Sequence, residues 1–119
     1  MKSCCLASGE ILGRRVAREL EKPASLEEFL QEFAEKGKSY ISFTYEMLSS
    51  REALLCIERS AFWEVIKGTS IDKIKKAGCN SEFRFIEAAL SSFFDVDVER
   101  RRCYWKGSER CEFMVRIRR

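Results

Sequence analysis

The sequence predicts an α+β domain: an antiparallel sheet of about four strands covered by helices, in the order helices, hairpin, helices, hairpin. Three observations lead there. Apolar residues recur at helical spacing over the first third of the chain, and the period drops to two at residue 39. The same switch recurs after residue 93. Turn residues stand between the periodic stretches, at Pro23, Gly37, Ser49-Ser50-Arg51 and Lys106-Gly107-Ser108-Glu109. With 119 residues, one proline and no linker or repeat, residues 1–119 read as one domain with a modest core.

The elements follow in order. Residues 3 to 21 read as a helix, with Cys5, Gly9, Leu12, Val16 and Leu20 on one side and Arg14, Arg15 and Arg18 on the other. Gly9 and Gly13 each cost a helix about 1 kcal/mol relative to Ala. Small residues four apart allow a neighbouring backbone or a bound molecule to come close, packing being the commoner cause. Pro23 ends this helix. Ser25 caps the next, Glu28 completes a capping box, Leu26, Phe29, Leu30 and Phe33 form the stripe, and Gly37 closes it. The stretch SYISFTYE (39–46) alternates, with Ile41, Phe43 and Tyr45 on one face and Tyr40, Ser42 and Thr44 on the other. ALLCIERS (53–60) is its hairpin partner.

SAFWEVIKG (60–68) and SIDKIKKAG (70–78) each read as a short helix with a serine start and a glycine stop. Residues 80–93 form a further helix striped by Phe83, Ile86, Leu90 and Phe93. A third strand starts near Asp95 with Val96 and Val98 inward. The fourth turns Cys111, Phe113, Val115 and Ile117 one way and Glu112, Met114, Arg116 and Arg118 the other.

Composition narrows the function. No apolar run approaches the ~18 residues of a membrane span and no signal-like segment follows Met1, so a cytoplasmic setting with reduced thiols is expected. The absence of histidine removes Ser-His and Cys-His nucleophile pairs, imidazole haem ligation and Cys/His zinc fingers. There is no G-x-G-x-x-G loop or obvious acid–base pair, which argues against an enzyme. The net charge of +3 is uneven: residues 98–119 hold eight Lys/Arg against three Glu, a balance of +5. A solvated outer face of a strand pair accounts for this better than a polyanion site. Nucleic acid is further disfavoured because aromatics interleave only at Tyr104 and Trp105.

Six cysteines in such a chain point to thiolate chemistry or metal binding rather than a disulfide framework. CYWKGSERCEF (103–113) sets two thiols around a charged turn. Cys111 begins the last strand on its inward face. Cys103 ends the preceding strand with parity opposite to Val96 and Val98, so a bulge or early turn has to intervene before it faces Cys111. Cys79 stands just before a helix. Three converging thiols suit Zn²⁺, with Zn–S near ~2.3 Å and a fourth position for a carboxylate or water. The plainer alternative is that they are small buried apolar residues. Neighbouring arginines equally suit a redox-responsive thiol. Phe43, Tyr45, Phe62, Trp63, Phe83, Phe85 and Phe93 offer aromatic surface for a ligand pocket, although each is more simply core.

The segment CNSEFRFIEAALSSFFDVDVERRRCYWKGSERCEFMVRI resembles the C-terminal half of the 4-vinyl-reductase (hydrocarbon-binding) domain family. That pattern is a Cys before a helix, a valine-rich strand ending in Glu-x-x-Cys, a turn with Gly, and Cys-x-Phe opening the last strand. Cys79, Val96, Val98, Cys103, Gly107, Cys111 and Phe113 carry the match. The glycine-bearing GEILGRRVAREL, the second helix and the first hairpin agree more loosely. The resemblance implies a fold like the lipid-binding subunits of vesicle-tethering complexes, with an apolar cavity between helices and sheet. It implies a non-catalytic binding or sensor role for a small hydrophobic or aromatic molecule, zinc on Cys79, Cys103, Cys111 and a glutamate, and a homodimer paired through helices. A thiol redox-sensing domain is the alternative use of the same cysteines, and an accessory role in tetrapyrrole metabolism is a third reading. The chain departs from the pattern at the glutamate. Three residues before Cys103 stands Arg100, with Glu99 beside it in opposite parity. A one-residue bulge brings Glu99 in, or water completes the site, or the metal is absent.

Overall fold

The computed structural model describes the backbone of residues 2–64, 72–102 and 111–118, and the side chains of 9–62, 64, 80–101 and 111–118. The order is α1 (Lys2–Arg18), α2 (Leu26–Lys36), β1 (Ile41–Met47), β2 (Glu52–Ser60), α3 (Ala61–Glu64), α4 (Asp72–Ser91), β3 (Val96–Arg102) and β4 (Cys111–Ile117). Among the described residues the strands form one antiparallel four-stranded sheet in the order β1-β2-β4-β3. This is the expected α+β arrangement. The second hairpin adds through β4 to β2, which leaves β1 and β3 as the edges.

α2 starts where its cap predicts. Ser25 Oγ accepts from the Glu28 N–H at 3.2 Å, and the Glu28 carboxylate accepts from the Ala24 N–H at 2.7 Å, one residue earlier than the usual capping box. Leu26, Phe29, Leu30 and Phe33 are buried as the stripe requires. α1 ends at Arg18, before Pro23, and closes through turn bonds to the Val16 and Ala17 carbonyls.

α1 lies along α4, and the two glycines explain how closely. A Cβ at Gly9 would collide with the Ser81 carbonyl oxygen; one at Gly13 would collide with the Phe85 carbonyl oxygen and stand 3.2 Å from the Ala88 Cβ. Residues four apart on α1 thus face residues four apart on α4, with the helices running in the same direction. Of the two causes open for these glycines, helix packing is the one realised. Val16, Ala17 and Leu20 carry the seam into the core.

Three expectations need correction. α4 is continuous through Gly78 and Cys79 rather than broken at Gly78, so Cys79 lies inside the helix and not ahead of it. One glycine costs a helix about 1 kcal/mol, which tertiary packing routinely outweighs. The buried stripe of α4 is Glu82, Phe85, Ile86, Ala89 and Leu90, whereas Phe83 is half-buried and Phe93 lies past the helix end. Tyr40 precedes β1, so strand parity does not bind it; its ring turns inward against Phe62 and Phe85. Of the helix expected over 60–68, Ala61–Glu64 is the described part.

The sheet presents Ile41, Phe43, Ala53, Leu55, Ile57, Cys111, Phe113, Val115, Ile117 and Val96 to the helices. Two bulges interrupt the ladder. Pairing passes from Ser42–Arg59 to Phe43–Ile57, which makes Glu58 the extra residue and buries Ser60. On β3 it passes from Arg100–Phe113 to Arg102–Glu112, with Arg101 extra. The outer arginines meet carboxylates: Arg116 with Glu52 at 2.7 Å, Arg118 with Asp95 at 3.3 Å and Arg101 with Glu99 at 3.8 Å. Over its described residues the basic tail is therefore a solvated, charge-paired face. Among the described residues no helix is long and apolar enough to cross a membrane.

Candidate functional site

The register of β3 on β4 decides which side chains enter the interior at the Cys111 end of the sheet. Val96, Val98 and Arg100 share one parity and stand opposite Ile117, Val115 and Phe113. Arg100 is thereby carried under α4. Its Nη1 donates to Asn80 Oδ1 at 3.1 Å, and its guanidinium lies over the Phe83 ring, 5.8 Å from the centroid. Phe83 packs on Phe113 at 6.1 Å. Cys111, on the same strand face as Phe113, is fully buried, as is Glu82 on the same stretch of α4. An amide and a guanidinium thus pair, with a buried thiol on the neighbouring strand, at one end of an otherwise apolar interior.

The expected metal donors are divided. The side chain of Cys79, and Cys103 altogether, lie outside the described residues. Glu99 pairs with Met114 on the other face of β3; its side chain is 72% exposed and Arg101 Nε stands 3.8 Å away. The irregularity foreseen before Cys103 is present, but it falls at Arg101, after Glu99, and so leaves Glu99 outward. The structure does not bring Glu99 to Cys111. The inward place goes to Arg100, and a fixed cation there repels a metal ion. The donor set therefore does not fit zinc at the glutamate position. Among the described residues no three Cys, Asp or Glu gather as a metal site.

The aromatic residues read as a pocket pack on one another. Phe43 meets Phe33 at 5.8 Å and Tyr45 at 6.4 Å, Phe62 meets Phe85 at 5.3 Å, and Phe93 meets Phe29 at 5.9 Å. Phe33 joins these groups, 5.2 Å from Phe29 and 5.4 Å from Phe85. Such separations are those of rings in contact, so the space between these pairs is core. Tyr45, Phe62, Phe83 and Phe93 remain half-buried at its margin. The side chain of Trp63 lies outside the described residues.

Comparison with solved structures shows what this arrangement is built on. The chain superposes on a trafficking protein particle complex subunit 3 from Naegleria fowleri, covalently bound to palmitic acid. The TM-score is 0.70 over 99% of this chain and 80% of that one, at 16% identity. The two share a fold. No protein-family profile and no curated protein matches the chain. The resemblance to the 4-vinyl-reductase family therefore rests on the motif residues alone, while the tethering-subunit fold that it implied is present.

Sequence reasoning passed over Asn80 and Glu82. Glu82 had a signal: a carboxylate standing four residues before Ile86 on the apolar stripe. Asn80 had none, because its partner Arg100 is 20 residues away and on another element.

Proposed function

We propose that the chain is a non-catalytic binding domain for a hydrophobic molecule, an acyl chain or an aromatic compound, held between the helices and the inner face of the sheet. The observation that carries this reading is the likeness, over nearly the whole chain, to a subunit carrying palmitic acid. The inner face supports it: Ile41, Phe43, Leu55, Phe113 and Val115 lie under aromatic helices, the apolar surroundings that such ligands require. Half-buried Tyr45, Phe62, Phe83 and Phe93 are the side chains we assign to the ligand's margin, with Phe43 against Tyr45 and Trp63 beside Phe62 in the sequence.

Native mass spectrometry of freshly purified protein tests it. The expected result is a co-purified hydrophobic molecule, or uptake of one of three probes: palmitic acid for acyl chains, 2-naphthol for aromatics, protoporphyrin for tetrapyrroles. A ligand that leaves on denaturation is non-covalent; one that leaves only with hydroxylamine is a thioester. A protein that carries nothing and takes up none of the three is not a hydrophobic-ligand domain. The homodimer belongs to the same proposal and is read from the same spectrum.

A second reading uses the thiols. Cys111 is wholly buried, the β3 bulge brings Arg102 into register with Glu112, and Cys103 follows Arg102 in the sequence as Cys111 precedes Glu112. We propose Cys79, Cys103 and Cys111 as donors to a zinc ion that does without Glu99. Alternatively, Cys103 and Cys111 pass two electrons and two protons to a peroxide and close a disulfide. One zinc per chain, lost in Cys111→Ser, supports the first form. A metal-free protein that forms no Cys103–Cys111 disulfide under mild peroxide excludes both.

A further inference from the structure

We infer that Arg100 receives the anionic end of the bound molecule, so that the ligand is an amphiphilic acid: a carboxylate on an acyl or aromatic body. This rests on the hydrophobic-ligand reading above and adds a polar end to it.

The described arginines of the second hairpin divide into two kinds. Arg101, Arg116 and Arg118 are exposed, and each meets a carboxylate. Arg100 is turned inward and half-buried, and among the described residues no carboxylate stands within ion-pair distance of it. Its contacts there are a neutral amide and a ring. Withdrawing a guanidinium from water is costly, and proteins ordinarily offset it with an anion. The outward arginines have theirs from the chain, and the anion of the inward one, which no described residue supplies, is the one we assign to a ligand.

The geometry suits a carboxylate. Guanidinium is a planar fork of five N–H donors that matches the two oxygens of a carboxylate. Asn80 Oδ1 accepts from Nη1 and the Phe83 ring lies against the face, so the plane of the fork is held by neutral groups that do not compete for its charge. Phe83 leads on to Phe113 and the apolar inner face. An acid with its head at Arg100 lays its body over the half-buried margin at Phe83.

The test is calorimetric titration of the full chain with matched pairs that differ only at the head: lauric acid against dodecanol below their aggregation limits, and 2-naphthoate against 2-naphthol. Charge-assisted hydrogen bonds predict that the acid of at least one pair binds about 10- to 100-fold more tightly than its neutral partner. Arg100→Gln should erase that preference, and Arg100→Lys should keep part of it. The pair that shows the preference separates an acyl from an aromatic ligand. Equal binding of acid and neutral probe by the wild-type chain overturns the role of Arg100 and leaves the hydrophobic-ligand reading standing. A preference that survives Arg100→Gln places the carboxylate elsewhere and overturns it too. If none of the four probes binds, the role of Arg100 falls, and the native mass spectrum decides the hydrophobic-ligand reading separately. The wild-type comparison needs no variant, so it decides even if Arg100→Gln does not fold.

Discussion

Where α2 covers β1, the interior is a succession of rings, Phe29 on Phe33 and Phe33 on Phe43 and Phe85, at 5.2 to 5.8 Å. Where α4 covers β3 and the start of β4, Asn80 pairs with Arg100, Phe83 packs on Phe113, and Glu82 and Cys111 are buried on the same elements. The first region needs no partners for its groups, because apolar burial is non-directional and scales with area. The second contains groups that lose solvation on folding and must find specific partners. The rings are thus expected to supply stability, and the polar end to spend some of it on keeping chemistry inside.

The largest test of that division is truncation. Phe33→Ala, at the junction of the ring network, should cost about 3–5 kcal/mol in a denaturant melt. Phe83→Ala, half-buried at the polar end, should cost about 1–2 kcal/mol. Equal losses would mean that both regions carry the fold alike. An effect smaller than that of Phe33→Ala is expected at the seam that holds α4 in place for both regions. Gly13→Val forces a side chain against the Phe85 carbonyl and should destabilise by about 1–3 kcal/mol. Unchanged stability there would show that α1 can move off α4 without penalty.

The smallest effect belongs to the outer face of the sheet. The hydrogen bond to Glu52, and then the charge of Glu52, hold the Arg116 guanidinium above the ordinary arginine range. A raised folded-state pKa means that any contribution is fully present below the unfolded value and is lost only as pH rises through the folded one. Both lie far above neutrality. Arg116→Gln should therefore leave the melting temperature near wild type, with a difference that stays constant from pH 6 to pH 9. A large or pH-dependent drop over that range would show that the outer ion pairs do more than solvate a face.

Much of the fold was legible because its signals are local. The cap at Ser25, the alternation of β1 and β4, and the change of period between helices and strands all act within a few residues. Gly78 misled for the same reason: its local preference is to stop a helix, and packing overrode it. The parity of Cys103 asked for a bulge or early turn if that thiol is to face Cys111, but did not say where. Its position at Arg101 selects Arg100 rather than Glu99 as the inward residue, and with it the sign of the charge at the site.

The sequence by itself determined the α+β class, the α2 stripe and the alternating faces of β1 and β4, since periodicity and capping are written along the chain. Only the tertiary structure decided the strand order, the α1–α4 seam and the pairing of Arg100 with Asn80. Those depend on groups distant in sequence meeting at ångström precision, and no local preference encodes which of them will meet.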